Sequence, residues 1–111
     1  MIQEHKERFA KLLQRDHTNL ADKERRSLFY IISGNEDLFS MVNYLYDFEE
    51  RCINPEVLDG NEVFFSSGAK ALIKLGFNLY NGYPADMCGC LSFLDEENLN
   101  LAIEAIKVRF L

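Results

Sequence analysis

Three groups of side chains have types that could do chemistry. The first is the pair Cys88 and Cys90, one residue apart in PADMCGCLSFLDEEN, with Cys52 far upstream. Thiolates bind zinc or run redox chemistry when spaced for it. A closed zinc site takes four ligands, usually as C-x2–4-C with a second Cys or His pair. A thioredoxin-like centre shows C-x-x-C in a βαβ setting. Neither spacing is present, and His5 and His17 form no H-x3–5-H pair. Cys88 and Cys90 are therefore read as plain loop or packing cysteines.

The second group is Asp47, Glu49 and Glu50, flanked by Tyr44, Tyr46 and Phe48. Clustered carboxylates can hold Mg2+ or act as acid and base. On a helix, however, Asp47 would pair with Arg51 at i, i+4, and Glu50 would point elsewhere. Aromatic residues beside charges are common at protein interfaces, which gives this stretch a second use. The third group, SSGAK at Ser66–Lys70, could hold an anion through Gly68 and Lys70 at a helix start but lacks P-loop spacing. No nucleophile elbow, H-E-x-x-H or dinucleotide fingerprint occurs. No catalytic, metal or cofactor-binding residue is assigned.

Charge narrows the function classes. The 111 residues carry a net charge of −6. Up to Arg26 basic residues outnumber acidic ones by two, but between Ser27 and Glu62 Arg51 faces eight carboxylates. Nucleic-acid affinity comes mainly from Lys and Arg, so no direct nucleic-acid partner is expected. IISGNED could be the turn of a helix-turn-helix, but the helix entering the groove would carry Glu36, Asp37 and Asp47 and no base before Arg51. No apolar run approaches the roughly 18 residues of a membrane span, and the charged start has no secretory core. With an odd three cysteines, a reduced cytoplasmic chain is expected.

The elements that would position these groups read as helical. His5, Phe9, Leu12 and Leu13 recur at helical spacing, giving a first helix over Gln3–Asp16. Asp22 caps a second, KERRSLFYIIS, with Leu28, Ile31 and Ile32 on one face. LFYII alone could be a strand, but the capped lead-in and Gly34 as a left-handed stop favour helix. Asn35 caps a third helix, with Leu38, Met41, Val42 and Leu45 at i, i+3, i+4, i+7, fading between Asp47 and Arg51. Pro55 starts a short turn, Asp59–Gly60 marks a reverse turn, and NEVFF is a loop or at most a lone short strand. Ser66 or Ser67 caps a fourth helix, buried along Ala69, Leu72, Ile73, Gly76, Leu79 and Tyr80 and ended by Gly82 and Pro84. Gly76 suggests close approach of another helix. Asp95 caps the last, with Leu94 and Leu99 as a hydrophobic staple and Leu99, Ala102, Ile103, Ile106 and Phe110 as its buried face. The expected fold is all-α, a single compact bundle of about five helices forming one domain over residues 1–111.

Four stretches, LFYIISGNEDL, YDFEERCINPE, FNLYNGY and LDEENLNLAIEAIKVRF, together resemble a small family of bacterial proteins of about this length and of unknown function. The resemblance spans almost the whole chain. It implies no activity, cofactor or catalytic residue, and Cys88 and Cys90 lie outside its pattern.

The expected function is therefore non-enzymatic: a protein that binds another protein through the acidic, aromatic-rich centre, with Asp37, Tyr44, Tyr46, Asp47, Glu49 and Glu50 as the surface. One variant is an acidic inhibitor competing with nucleic acid for a basic partner. The alternative is a small enzyme or ligand-binding protein with a pocket between helices, built from Tyr80, Asn78, His5 and the carboxylates. A third is a homodimer formed through apolar helix faces.

Overall fold

Helix α2 (Lys23–Gly34) is the axis of the molecule. Seven consecutive residues of it, Ser27–Ser33, are buried, so it is covered on every side. Buried Ser27 and Ser33 satisfy their hydroxyls by donating back to the carbonyls of Glu24 and Tyr30. The computed structural model describes residues 2–60 and 65–111. Helix α1 (Gln3–Asp16), α5 (Ser67–Asn81) and α7 (Glu96–Phe110) pack around α2. Between α2 and α5 the chain makes short elements: α3 (Glu36–Ser40), α4 (Val42–Leu45), strands β1 (Tyr46–Asp47) and β2 (Cys52–Ile53), and a 3-10 turn over Pro55–Leu58. A sixth helix, α6 (Met87–Ser92), lies against α5. The protein is predominantly all-α, with seven α-helices and one two-stranded sheet among the described residues. Of the NEVFF stretch, Asn61–Phe64 lie outside the described residues. Among the described residues no helix is long and apolar enough to cross a membrane.

The expected caps of the longer helices form. Asp22, Ser66 and Asp95 accept from Arg25, Ala69 and Asn98 backbone N–H groups, and Asn35 accepts from Leu38. Helix α1 ends in a Schellman turn: His17, at φ 55°, donates to the Gln14 carbonyl and Thr18 to that of Leu13. Gly82, at φ 79°, ends α5 by donating to the Asn78 carbonyl.

Several expectations are corrected. The third helix does not run to Arg51. It breaks at Met41, and residues 46–53 form an antiparallel hairpin pairing Tyr46 with Ile53 and Asp47 with Cys52. Cys88 and Cys90 lie on a helix rather than a loop; Cys88 is exposed, Cys90 buried, and all three cysteines are free thiols. On α7 the buried residues are Leu101, Ala102 and Ala105, whereas Ile103 and Phe110 are exposed.

Gly34 is helical and is the last residue of α2, not a left-handed stop. Its role is steric. A Cβ there would collide with Leu101 of α7 and come within 2.9 Å of His5 Cε1 on α1. At Gly76 an added Cβ would meet Leu28 and Ile31 side chains at 3.4–3.6 Å, ordinary contact. Gly34→Ala is thus expected to destabilise by about 1–3 kcal/mol through overpacking. Gly76→Ala should stabilise by up to about 1 kcal/mol through helix propensity. Urea melts of the two variants check the opposite signs.

Candidate functional site: a hairpin clamped from below

The expected surface residues are placed unequally. Tyr44 is half exposed at 51%, and Asp37, Glu49 and Glu50 are exposed. Tyr46 is corrected: at 1% exposure it belongs to the core, because β1 turns its ring inward against Phe29 at 5.0 Å between centroids. Asp47 is also corrected. It does not pair with Arg51; its Oδ1 accepts from the backbone N–H groups of Glu49 (2.9 Å) and Glu50 (3.0 Å), which folds the hairpin turn. Asp37 lies on α3, where its carbonyl accepts from the Ser40 hydroxyl.

Beneath the hairpin is a polar cluster that the sequence reasoning missed. Asp16, the last residue of α1, has a fully buried side chain. Its carboxylate accepts from the Tyr46 hydroxyl (2.8 Å), the Thr18 hydroxyl and the Arg51 guanidinium (3.0 and 3.2 Å). The Tyr46 hydroxyl in turn accepts from Arg25 Nε at 3.1 Å. Arg25 also pairs with Asp22 at 2.9 Å and donates to the Arg51 carbonyl at 2.9 Å. Arg51 sits at φ 55°, an unfavourable region for a side-chain-bearing residue, and is held there by these bonds. Phe48 is fixed on the outside by the Arg15 guanidinium, 3.8 Å from its ring centroid. Residues from α1, α2 and both ends of the hairpin are therefore fastened together.

The electrostatics follow from burial and partners. Burial opposes the Asp16 charge, but hydrogen bonds from Arg51, Thr18 and Tyr46 outweigh it and hold the carboxyl below its ordinary value. Burial and then the neighbouring Asp16 charge push the Tyr46 phenol up to about 12, against the hydrogen bond from Arg25. Tyr46 is thus a neutral donor, as its bond to Asp16 requires. Because its folded pKa is raised, its contribution to stability is complete below the ordinary phenol value of 10 and is lost as pH rises through about 12. We expect a loss of roughly 2–3 kcal/mol across that window, absent in Tyr46→Phe. Denaturant titrations at stepped alkaline pH measure it.

The residues of the pocket alternative are dispersed. Tyr80 lies beside Arg25 near the start of α2, its hydroxyl 3.5 Å from the Arg51 carbonyl. Asn78 donates to the Tyr83 carbonyl at 2.9 Å and so ties the loop that follows α5. His5 is at the other end of α2. A hollow of about 260 Å3 there brings it near Glu97 and Glu104. Its Nε2 lies 3.0 Å from the Tyr30 carbonyl and so carries the proton. Burial lowers its pKa. Among the described residues no group of three or more His, Cys, Asp or Glu side chains is placed to hold a metal ion.

Fold and site together define a small helical protein with one surface hairpin fastened to α1 and α2. The chain belongs to the family of unknown function DUF6075, which it matches over residues 1–111. No curated protein and no solved structure matches it.

Proposed function

We propose that this protein is a non-enzymatic interaction module of the cytoplasm that binds a Lys- and Arg-rich segment of another protein through its hairpin. One observation carries this reading. The hairpin is fixed from below by buried Asp16, Tyr46 and the two arginines, while Glu49 and Glu50 in its turn are exposed and Tyr44, on the preceding α4, is half exposed. Among the described residues neither glutamate makes an ion pair. A buried ionic network contributes little net stability against an apolar replacement, and its best-supported use is to specify one geometry. A surface fixed in one geometry loses little entropy on binding. Tyr44 would anchor the contact, and the glutamates would steer and orient a basic partner. Three free thiols suit a reducing compartment.

The test joins capture to a zero-length carbodiimide cross-link, which couples a carboxylate to a lysine it touches. The tagged chain is incubated with host lysate, cross-linked and digested. The expected result is a cross-linked peptide joining Glu49 or Glu50 to a lysine of one captured protein, lost in Glu49→Lys/Glu50→Lys and weakened in Tyr44→Ala. Asp47 is left intact, since it folds the turn. Capture that survives the double variant overturns the reading. A cross-link to a second copy of this chain replaces it with a homodimer.

A further inference from the structure

A second feature lies away from the hairpin and shares no residue with it. Ser67, Lys70, Ala71 and Lys74 fall at i, i+3, i+4 and i+7 and form one stripe of α5. Helix α6 approaches this stripe without closing over it. Pro84 and Ala85 bring the chain up, and Cys90 and Phe93 make the opposite wall. The cleft between them is about 380 Å3, within the range of small-molecule sites.

Its lining is divided by chemistry. The floor is apolar and buried: Ala71 is 5% exposed and Cys90 7%. Phe93, 63% exposed, stands at the lip as a flat apolar face. Lys70 and Lys74 both line the cleft and are half-buried, as amphipathic side chains with an apolar stem and a charged head can be. Among the described residues neither lysine pairs with a carboxylate. Among the described residues lining the cleft the acidic one is Asp86, whose carboxylate is folded against Gly89; a Cβ at that position would collide with it. Two ammonium groups and one carboxylate leave the cleft net positive in a chain of net charge −6.

We infer that the α5–α6 cleft binds a small organic anion, with its apolar body on Ala71, Ala85 and Phe93 and a carboxylate or phosphate head between Lys70 and Lys74. Lysine acts as a point charge and accepts either head. The apolar floor selects against bare inorganic anions, and the lysines select against neutral apolar molecules.

The experiment is a 1H–15N NMR titration of the full chain with four probes: 2-naphthoate, 2-naphthyl phosphate, 2-naphthalenemethanol and inorganic phosphate. The expected result is saturable shifts confined to α5 and α6 with one or both naphthyl anions, the stronger of the two identifying the head group. Lys70→Gln/Lys74→Gln should weaken that binding roughly tenfold. Phe93→Ala, a change at an exposed site that leaves the core intact, should weaken it as well. With the parent chain, three results overturn the inference: no saturable shift with either naphthyl anion, equal binding of the neutral alcohol, or equal binding of inorganic phosphate. Undiminished binding by the lysine double variant does the same.

Discussion

Replacing Asp16 by alanine is expected to lower stability by about 3–4 kcal/mol, with a fall in Tm of about 15 °C. The side chain is fully buried and accepts from Tyr46, Thr18 and Arg51. Removing it takes away the acceptor of the buried Tyr46 hydroxyl, which keeps only the bond it accepts from Arg25, and leaves the Arg51 guanidinium without its carboxylate. The figure sits toward the low end for a broken buried pair because the Arg51 side chain is 42% exposed and can be hydrated. The pH dependence provides a signature. The Asp16 carboxyl is held below its ordinary value of 3.8, so its contribution is complete above that value and is lost as pH falls through the lower, folded one. The gap between parent and variant should therefore narrow at acid pH. His5 adds a separate loss in the parent and the variant alike, beginning as pH falls below its ordinary 6.5, because the folded state keeps the ring neutral. Urea melts of both proteins over a pH series measure all of this. A gap that stays constant into strong acid would show that Asp16 does not act as a carboxylate.

Phe29→Ala is expected to cost about 3–5 kcal/mol, the range for emptying a large aromatic from a packed interior. Phe29 is 0% exposed and lies under the hairpin, at 5.0 Å from the Tyr46 ring and stacked 6.0 Å from that of Phe48. Phe77 is also fully buried, but its aromatic partner is Tyr83, 5.8 Å between centroids, rather than a ring of the hairpin. Phe77→Ala should thus match Phe29→Ala in global stability but not in its local effect. Only the Phe29 variant should speed exchange of the Asn54 amide, which donates to the Leu45 carbonyl at 2.9 Å and closes the base of the hairpin. Equal Asn54 protection in the two variants would mean that the hairpin does not depend on Phe29 beneath it.

The same region shows how much of the fold is legible in the sequence. Asp22, Asn35, Ser66 and Asp95 carry strong capping chemistry, and each starts a helix as expected. Asp16 was legible in principle: His5, Phe9, Leu12 and Asp16 follow one helical stripe, and a carboxylate on an apolar stripe must find donors. The identity of those donors was not legible, since Tyr46 and Arg51 come from 30 and 35 residues downstream. The hairpin was hidden because Leu38, Met41, Val42 and Leu45 keep helical spacing across the break at Met41, where no Gly or Pro marks it. The alternation of buried Tyr46 with outward Asp47 was the available strand signal. Helix α7 failed differently. It is apolar on several sides, so periodicity could not choose among its faces, and Gly34 decides the matter by making room for Leu101.

The distance in sequence between Asp16 and its partners bears on how the chain folds. The loop from Asp16 to Arg51 must close before the carboxylate receives its full set of bonds, and closure is an entropic cost met before any of those bonds forms. The helix pair α1–α2, by contrast, is joined by a short turn and can associate early. The hairpin clamp should then belong to the descent from the folding barrier rather than to its summit. Disturbing it would leave the refolding rate nearly unchanged and accelerate escape from the native state. Asp16 would in that case act mainly as a latch on lifetime: a chain lacking it finds its fold at the same pace but holds it more briefly.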